Sequence, residues 1–274
     1  MTSSGLSCSV LICVYRGDKV AYLLESIESI LGQSVLPSEI IVVVDGPVSE
    51  GLAEAIEGCE KRSKLIKVVK LLRNVGVGAA SNEGIKHCAN ELVAKMDADD
   101  IAAPNRIELQ LGAFVKDPKL TLLGGQLAEF SGKVSNVVSY RKVPTVTKEI
   151  RRFARRRSPF NNQTVMFKKS VVVAVGGYPK LNRAEDYYLY SKLIAHKYKV
   201  GNLPDVLVFF RLDENALGRR KTWRHTKEVI NARNEIRKLG ISNIWDLALT
   251  TVGQIGVFVL PTFFMRWVYK LLRK

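Results

Sequence analysis

The sequence predicts an α/β fold, an open and mostly parallel sheet flanked by helices. Three observations carry that prediction. Over residues 1–100, apolar runs of strand length alternate with segments of helical spacing. The strand-length runs are continuously apolar, which marks strands covered on both faces and therefore a parallel sheet. Two of the runs close on acidic residues, and open α/β sheets keep their ligands at the carboxyl ends of their strands.

The elements follow in order. Ser9–Tyr15 (SVLICVY) is the first strand, and Val20–Leu31 is a helix with Leu23, Leu24, Ile27, Ile30 and Leu31 on one side. Ile40–Val44 is the second strand, Leu52–Cys59 a helix, Ile66–Leu72 the third strand and Val77–Cys88 a helix. Leu92–Met96 is a fourth strand, running into Asp97-Ala98-Asp99-Asp100. Beyond Pro104 the alternation loosens. Asn105–Val115 reads as a helix, Leu120–Phe130 and Val134–Tyr140 as strands, Gly176–Pro179 as a turn, Ala184–His196 as a helix and Val206–Arg211 as a last strand. From Arg219 the chain is a basic helix followed by an apolar one.

Composition narrows the function. The chain has 274 residues with 47% apolar and 25% charged residues, which is globular usage and excludes a disordered polycation. Four cysteines (Cys8, Cys13, Cys59, Cys88) without a C-x-x-C speak against a disulfide scaffold or a structural zinc site. No basic stretch precedes the apolar N-terminal run, so no signal peptide is read and a cytosolic, thiol-reducing setting is expected. The net charge of +16 is concentrated. Segments 141–157, 216–238 and 266–274 together hold twenty bases and three acids, leaving 22 bases and 23 acids elsewhere. Such segments ask for an acidic partner: a phosphorylated substrate, an anionic membrane surface or nucleic acid.

The acids fall where a sheet of this kind keeps its site. Asp45 ends the second strand before Gly46-Pro47, and three carboxylates lie within 97–100 at the end of the fourth. Crowded carboxylates at one strand end call for a divalent cation such as Mg²⁺ or Mn²⁺ shared with substrate phosphates. The blander alternative is that Asp99 or Asp100 N-caps the helix after Pro104. Glu185-Asp186 opens a helix, where acids are also favoured by the helix dipole alone.

The order of these features resembles an inverting glycosyltransferase of family 2 with the GT-A nucleotide-sugar-binding fold. The matching pieces are SVLICVYRGD (9–18), EIIVVVDGPVS (39–49), RNVGVGAASNEGI (73–85), AKMDADDIAAPNRIELQ (94–110), GGY (176–178) and AEDYYLYSKL (184–193). Within that family the sequence is most similar in flavour to amylovoran-type enzymes that build bacterial exopolysaccharide and O-antigen repeat units. The resemblance implies a metal-dependent (Mn²⁺ or Mg²⁺), non-processive transfer from a nucleotide sugar, UDP-sugar favoured, to a polyprenyl-diphosphate-linked saccharide. It implies Val14 and Tyr15 beside the base, Asp45 accepting from the base imide, and Asn74, Gly76 and Asn82 in the segment along base and ribose. It further implies Asp97 at the ribose or a metal water, Asp99 on the metal, Asp186 as general base and Glu185 beside it. Arg211, Arg219 and Arg220 are candidates for a diphosphate, since guanidinium suits phosphate bidentately. A third metal ligand is not evident; Asp213 and Asn215 are the nearest candidates. The sequence departs from the family pattern at Val44 and Ser81, where Asp and Arg are common, and has no QxxRW after the Glu185-Asp186 helix.

Two other readings fit less. A Rossmann oxidoreductase using NAD needs G-x-G-x-x-G directly after the first strand, where this chain has Tyr15-Arg16-Gly17-Asp18. A nucleic-acid-binding protein accounts for the charge but not for acids gathered at strand ends.

The division expected is 1–215 for the transferase domain and 216–274 for a basic helical segment. Residues 247–265 carry no charge and are followed by Arg266-Trp267-Val268-Tyr269-Lys270, a mixture suited to a membrane interface. Three readings stay open for this segment: a helix lying in the inner leaflet, an appendage or homodimer helix packed on the core, and a true span. Peripheral association with the inner face of the cell membrane is the expected location.

Overall fold

The computed structural model of the chain describes residues 5–212 and 222–259. The N-terminal half is the expected alternation: β1 (Cys8–Val14), α1 (Val20–Leu31), β2 (Glu39–Val44), α2 (Glu50–Arg62), β3 (Ile66–Lys70), α3 (Val77–His87) and β4 (Leu92–Asp97). There follow β5 (Ile101–Ala102), α4 (Arg106–Lys116), β6 (Leu120–Phe130), β7 (Val137–Arg141) and α5 (Thr147–Phe153). A short 3-10 turn (Asn162–Thr164), β8 (Met166–Lys168), α6 (Lys169–Ala174), α7 (Glu185–Ala195), β9 (Lys199–Arg211), α8 (Trp223–Lys238) and α9 (Ile244–Val259) complete it.

One sheet runs in the order β3-β2-β1-β4-β8-β6-β9-β5, with β7 paired to β6. The strands β3-β2-β1-β4 are all parallel. Beyond β4 the sheet is mixed: β8 is antiparallel to both β4 and β6, while β6 and β9 run parallel. The parallel strands are buried on both faces, as their unbroken Val/Ile/Leu content requires. Val10, Ile12, Val42 and Met96 pack under α1, α2 and α4, while Leu11, Ile41, Val43 and Val93 pack under α3 and α7. The alternation of side chains along β4 puts Lys95 and Asp97 on the same face as Val93, towards α3 and α7.

The chain leaves β1 towards β2 and β3 on one side and returns through β4 on the other. The crevice outside the carboxyl ends of β1 and β4 is thus the switch point at which such sheets bind ligands. Arg106, fully buried in α4, donates to Lys95 O at 2.7 Å and to Gln110 Oε1 at 3.1 Å, locking the end of β4 from below.

Neither Asp99 nor Asp100 caps α4. Asn105 holds the N-cap position without a side-chain bond, and Asp100 Oδ1 instead accepts from the Arg211 backbone N–H at 2.9 Å. The four cysteines are free. No helix among the described residues is long and apolar enough to cross a membrane. Residues 260–274, which hold the end of the uncharged stretch, and Asp213, Asn215, Arg219 and Arg220 lie outside the described residues.

Candidate active site

The end of β1 forms one wall of the crevice. Val14 is fully buried, and its carbonyl accepts from Asp45 N–H at 2.7 Å. Tyr15 is half exposed and its ring lies over Gly17. The following turn is closed by Asp18, whose Oδ2 accepts from Tyr15 N–H at 2.8 Å.

Asp45 is occupied by its own chain. Oδ1 accepts from Val75 N–H at 2.7 Å, and Oδ2 accepts from Gly76 N–H and Asn74 Nδ2, both at 3.0 Å. The carboxylate is only 4% exposed. Its work in this structure is to hold the 74–76 loop, where Gly76 takes φ 87° at the start of α3. Gly46 lets that loop close: a side chain there would meet Asn74 N at 2.4 Å.

Asn82 is likewise committed. It donates to Tyr178 O at 2.9 Å and accepts from Tyr178 N–H at 2.8 Å, clasping the Gly-Gly-Tyr turn to α3. Gly177, at φ 69°, is the close approach that makes this possible. Ser81 is fully buried on α3 with its hydroxyl 3.5 Å from Cys13 Sγ, so the position of the family's common Arg faces inward here.

Arg211 has a different occupation from the expected diphosphate contact. Its backbone N–H binds Asp100, its Nε donates to Asp99 O at 3.0 Å and its guanidinium pairs with Glu25. It is stacked over the rings of Tyr22 at 4.1 Å and Phe130 at 4.7 Å, and its side chain is only 10% exposed. Held on both ring faces and by these partners, Arg211 positions the Asp99–Asp100 turn.

Asp97 and Asp99 are partly accessible at the floor of the crevice. Beneath them sits Lys95, 1% exposed, with Nζ 3.6 Å from Asp97 Oδ1. Burial works against its charge, but Cys13, Asp97 and Glu185 outweigh it and hold the ammonium above its ordinary range. Burial, helped by Asp97 and Asp99, pushes the Asp100 carboxyl well up. Burial also pushes Asp18 up to about 6, opposed by the Tyr15 N–H and reinforced by Asp99 and Asp97. Asp18 therefore belongs to the carboxylate cluster, which the sequence reading missed.

Across the crevice, α7 begins at Ala184, a non-glycine residue held at φ 56°, so Glu185 and Asp186 stand in the first turn. Both are half-buried. Burial, then Asp186 and later Asp97, push Glu185 up to about 7, while its own backbone N–H and Arg183 oppose the rise. Burial and Asp97 raise Asp186 against the Tyr187 N–H. Residues 97 and 185–186, far apart in sequence, thus share one electrostatic environment. Gly78 of α3 lets the Glu185 side chain lie close: a Cβ there would stand 3.3 Å from Glu185 Cγ. His196, at the far end of α7, is exposed, with its Nδ1 2.9 Å from Lys192 O.

Among the described residues no group of three or more His, Cys, Asp or Glu side chains is gathered closely enough to hold a metal alone. Asp97 and Asp99 fit the other mode, an ion held by one or two carboxylates with water and substrate phosphates completing its shell.

Residues 9–175 match the family described as glycosyl transferase family 2. A glycosyltransferase of Haemophilus influenzae described as uncharacterized is 38% identical over 96% of this chain and 97% of its own. The amylovoran biosynthesis glycosyltransferase AmsE of Erwinia amylovora is 34% identical over 81% of this chain and 82% of its own. The UDP-Gal:alpha-D-GlcNAc-diphosphoundecaprenol beta-1,3-galactosyltransferase of Escherichia coli is 32% identical over 96% and 94%. Among solved structures, S. aureus TarS 1–349 in complex with UDP-GlcNAc superposes with a TM-score of 0.63 at 21% identity, over 84% of this chain and 66% of that fragment. This chain spans 42% of the longer TarS chain. The mannosyltransferase PcManGT of Pyrobaculum calidifontis, in complex with GDP-Man and Mn²⁺, gives 0.59 at 17% identity, over 97% and 79%. The fold is thus the GT-A fold that these transferases share, and the chain belongs to glycosyl transferase family 2 and is a glycosyltransferase.

Proposed function

We propose that this enzyme moves a sugar from a UDP-sugar to a polyprenyl-diphosphate-linked saccharide in bacterial surface polysaccharide synthesis, with inversion and without processivity. The observation that carries the reading is the meeting of Asp97 with Glu185 and Asp186 across the switch-point crevice, donor-side carboxylate against acceptor-side carboxylates. In-line displacement needs both. The leaving nucleoside diphosphate gathers negative charge, and a divalent ion such as Mn²⁺ or Mg²⁺, when bound, offsets it as a Lewis acid. Asp99 and Asp97 would hold that ion. On the opposite side of the sugar, Asp186 takes the proton of the acceptor hydroxyl, and Glu185 orients the base or the acceptor. Val14, Tyr15 and the loop of Asn74 and Gly76, shaped by Asp45, border the base and ribose. Asn82 sets the turn that leads to α7. The relatives named for amylovoran synthesis and for a diphosphoundecaprenol acceptor support the substrate class.

Because such an acceptor is membrane-linked, the enzyme works in the cytoplasm against the inner face of the membrane. Residues 1–215 perform the transfer, and 216–274 serve location. Nucleic acid has no part in this reading, which holds for a single chain and for a homodimer alike.

Thermal shift against UDP-, dTDP- and GDP-sugars with and without Mn²⁺ tests it. UDP-sugars raise the melting temperature most, and EDTA or Asp99→Ala removes the metal-dependent part. No shift with any diphosphate nucleotide would overturn the reading.

A further inference from the structure

Helix α7 carries Glu185 and Asp186 in its first turn, yet its own sequence does little to fix that turn. Ala184 holds the N-cap position and offers no side-chain acceptor, where Ser, Thr, Asp or Asn would cap. It also sits at φ 56°, a left-handed conformation that is costly for a residue with a Cβ. Such a conformation persists only where the surroundings impose it.

The surroundings that impose it come from distant parts of the sequence. Asn82 clasps Tyr178 at one end of the loop that leads to α7. At the other end stands Glu228 of α8. Its Oε1 accepts from Asn182 Nδ2 at 3.1 Å and from Arg224 Nε at 3.2 Å, and its Oε2 lies 3.7 Å from Arg183 Nε. One carboxylate thus takes both residues that precede Ala184. Burial works against its charge, but Asn182, Arg224 and Arg183 outweigh it and hold the carboxyl below its ordinary range.

Helix α8 is itself well seated. Thr222 caps it, with Oγ1 accepting from His225 N–H at 3.2 Å, and Thr226, Ala232 and Ile236 are buried. It packs on α7. Further along α8, Arg233 donates to Arg156 O at 2.7 Å, in the turn whose Ala154 O accepts from Tyr187 Oη at 2.6 Å. Glu185 and Asp186 are therefore bracketed. Glu228 holds the two residues before Ala184, and the 154–156 turn, held in its turn by α8, holds Tyr187 just after Asp186.

We propose that Glu228 is a positioning residue for the transfer. Through Asn182 and Arg183 it keeps Ala184 left-handed, and so sets how Glu185 and Asp186 reach into the crevice. This gives α8 a task in the chemistry, although it lies outside residues 1–215. The proposal rests on the reading of Asp186 as the base.

Kinetics and amide exchange on the full chain test it. Transfer is measured with the UDP-sugar that raises the melting temperature most and a diphosphate-linked acceptor. Exposed ion pairs add little stability, so Glu228→Ala melts within about 3 °C of wild type. A small misplacement of a reacting group is costly, so the same variant lowers kcat about 10- to 100-fold, with KM for the UDP-sugar within about twofold of wild type. Glu228→Gln, which keeps an oxygen for Asn182, regains most of that loss. Asn182→Ala also lowers kcat, and adding it to Glu228→Ala costs no more, since both remove the same contact. Tyr188 N–H closes the first turn on Ala184 O at 2.9 Å and exchanges about 10-fold faster in Glu228→Ala. Glu235→Ala, on the same helix and paired among the described residues with Lys238, changes none of these. Wild-type kcat or wild-type Tyr188 exchange in Glu228→Ala overturns the proposal, as does a loss that adds in full to that of Asn182→Ala. Near-wild-type turnover in Asp186→Asn, with Tyr188 exchange still faster in Glu228→Ala, counts against the function proposed above and supports the clamp.

Discussion

Asp45→Asn separates a carboxylate that builds the site from one that only waits for a base. In the structure both Asp45 oxygens accept from the 74–76 loop, from Val75 N–H at 2.7 Å and from Gly76 N–H and Asn74 Nδ2 at 3.0 Å. Hydrogen bonds to a charged acceptor contribute about 1.5–3 kcal/mol each. Asparagine keeps an oxygen for Val75 and sets an NH₂ group against two donors, so two bonds go, worth about 3–6 kcal/mol if those donors stayed dry. Residues 72–77 are exposed, so the freed donors reach water, and the cost of opening the loop falls by about 2–3 kcal/mol. Amide exchange at Val75 and Gly76 then accelerates about 30- to 140-fold, while core strand amides in β1 and β2 keep their rates. Hydrogen–deuterium exchange of the 71–80 region reads this directly. Wild-type protection of both amides in Asp45→Asn would refute the reasoning and return Asp45 to a purely ligand-binding role.

Other outcomes follow from the geometry of α7. Burial, with Asp186 and Asp97 against Arg183, carries the Glu185 carboxyl from 4.5 to about 7, so between those values the folded chain holds a proton that the unfolded chain has lost. Stability therefore falls as pH rises through this window. Glu185→Gln flattens that part of the urea-denaturation profile, and an unchanged slope would contradict the raised carboxyl. Asp186, Asp97, Arg183 and Lys95 are the charged groups facing it and remain in the variant. At Ala184, φ 56° is costly for a β-branched side chain. Ala184→Val lowers stability by about 2 kcal/mol or more, whereas Ala184→Gly stays within about 0.5 kcal/mol because relief of strain is offset by a freer unfolded chain. Equal melting temperatures for all three proteins would remove strain from the account.

The parallel half of the sheet was legible because strands covered on both faces must be continuously apolar, as in EIIVVV of β2. The mixed half was not. β8 has three residues and β5 two, too short for any periodicity, and α5 and α6 are one or two turns long. The first half of β9 hides behind Gly201 and Pro204, and it pairs with β6 through shifts of register near Gly124 and Gln126.

At the site, Asp97 and Asp99 were legible from their crowding and Glu185-Asp186 from their place before a helix. Lys95 was hidden as a charge inside an apolar strand, and Asp18 as part of a loop judged only for its glycine. The commitments of Asp45, Asn82 and Arg211 are made with partners 29 to 186 residues away, so no local pattern reports them. Residue type alone suggested ligand contacts and gave no sign that the same side chains also serve as internal acceptors and clamps.

The central claim, one-step displacement by a base on α7 opposite a diphosphate held at the end of β4, is tested most directly by the anomeric configuration of the transferred sugar. NMR of the product formed from a UDP-α-sugar and a diphosphate-linked acceptor should show the β anomer, and Asp186→Asn should slow its formation by about 10²–10⁴. An α-linked product, or near-wild-type turnover in Asp186→Asn, would contradict the account.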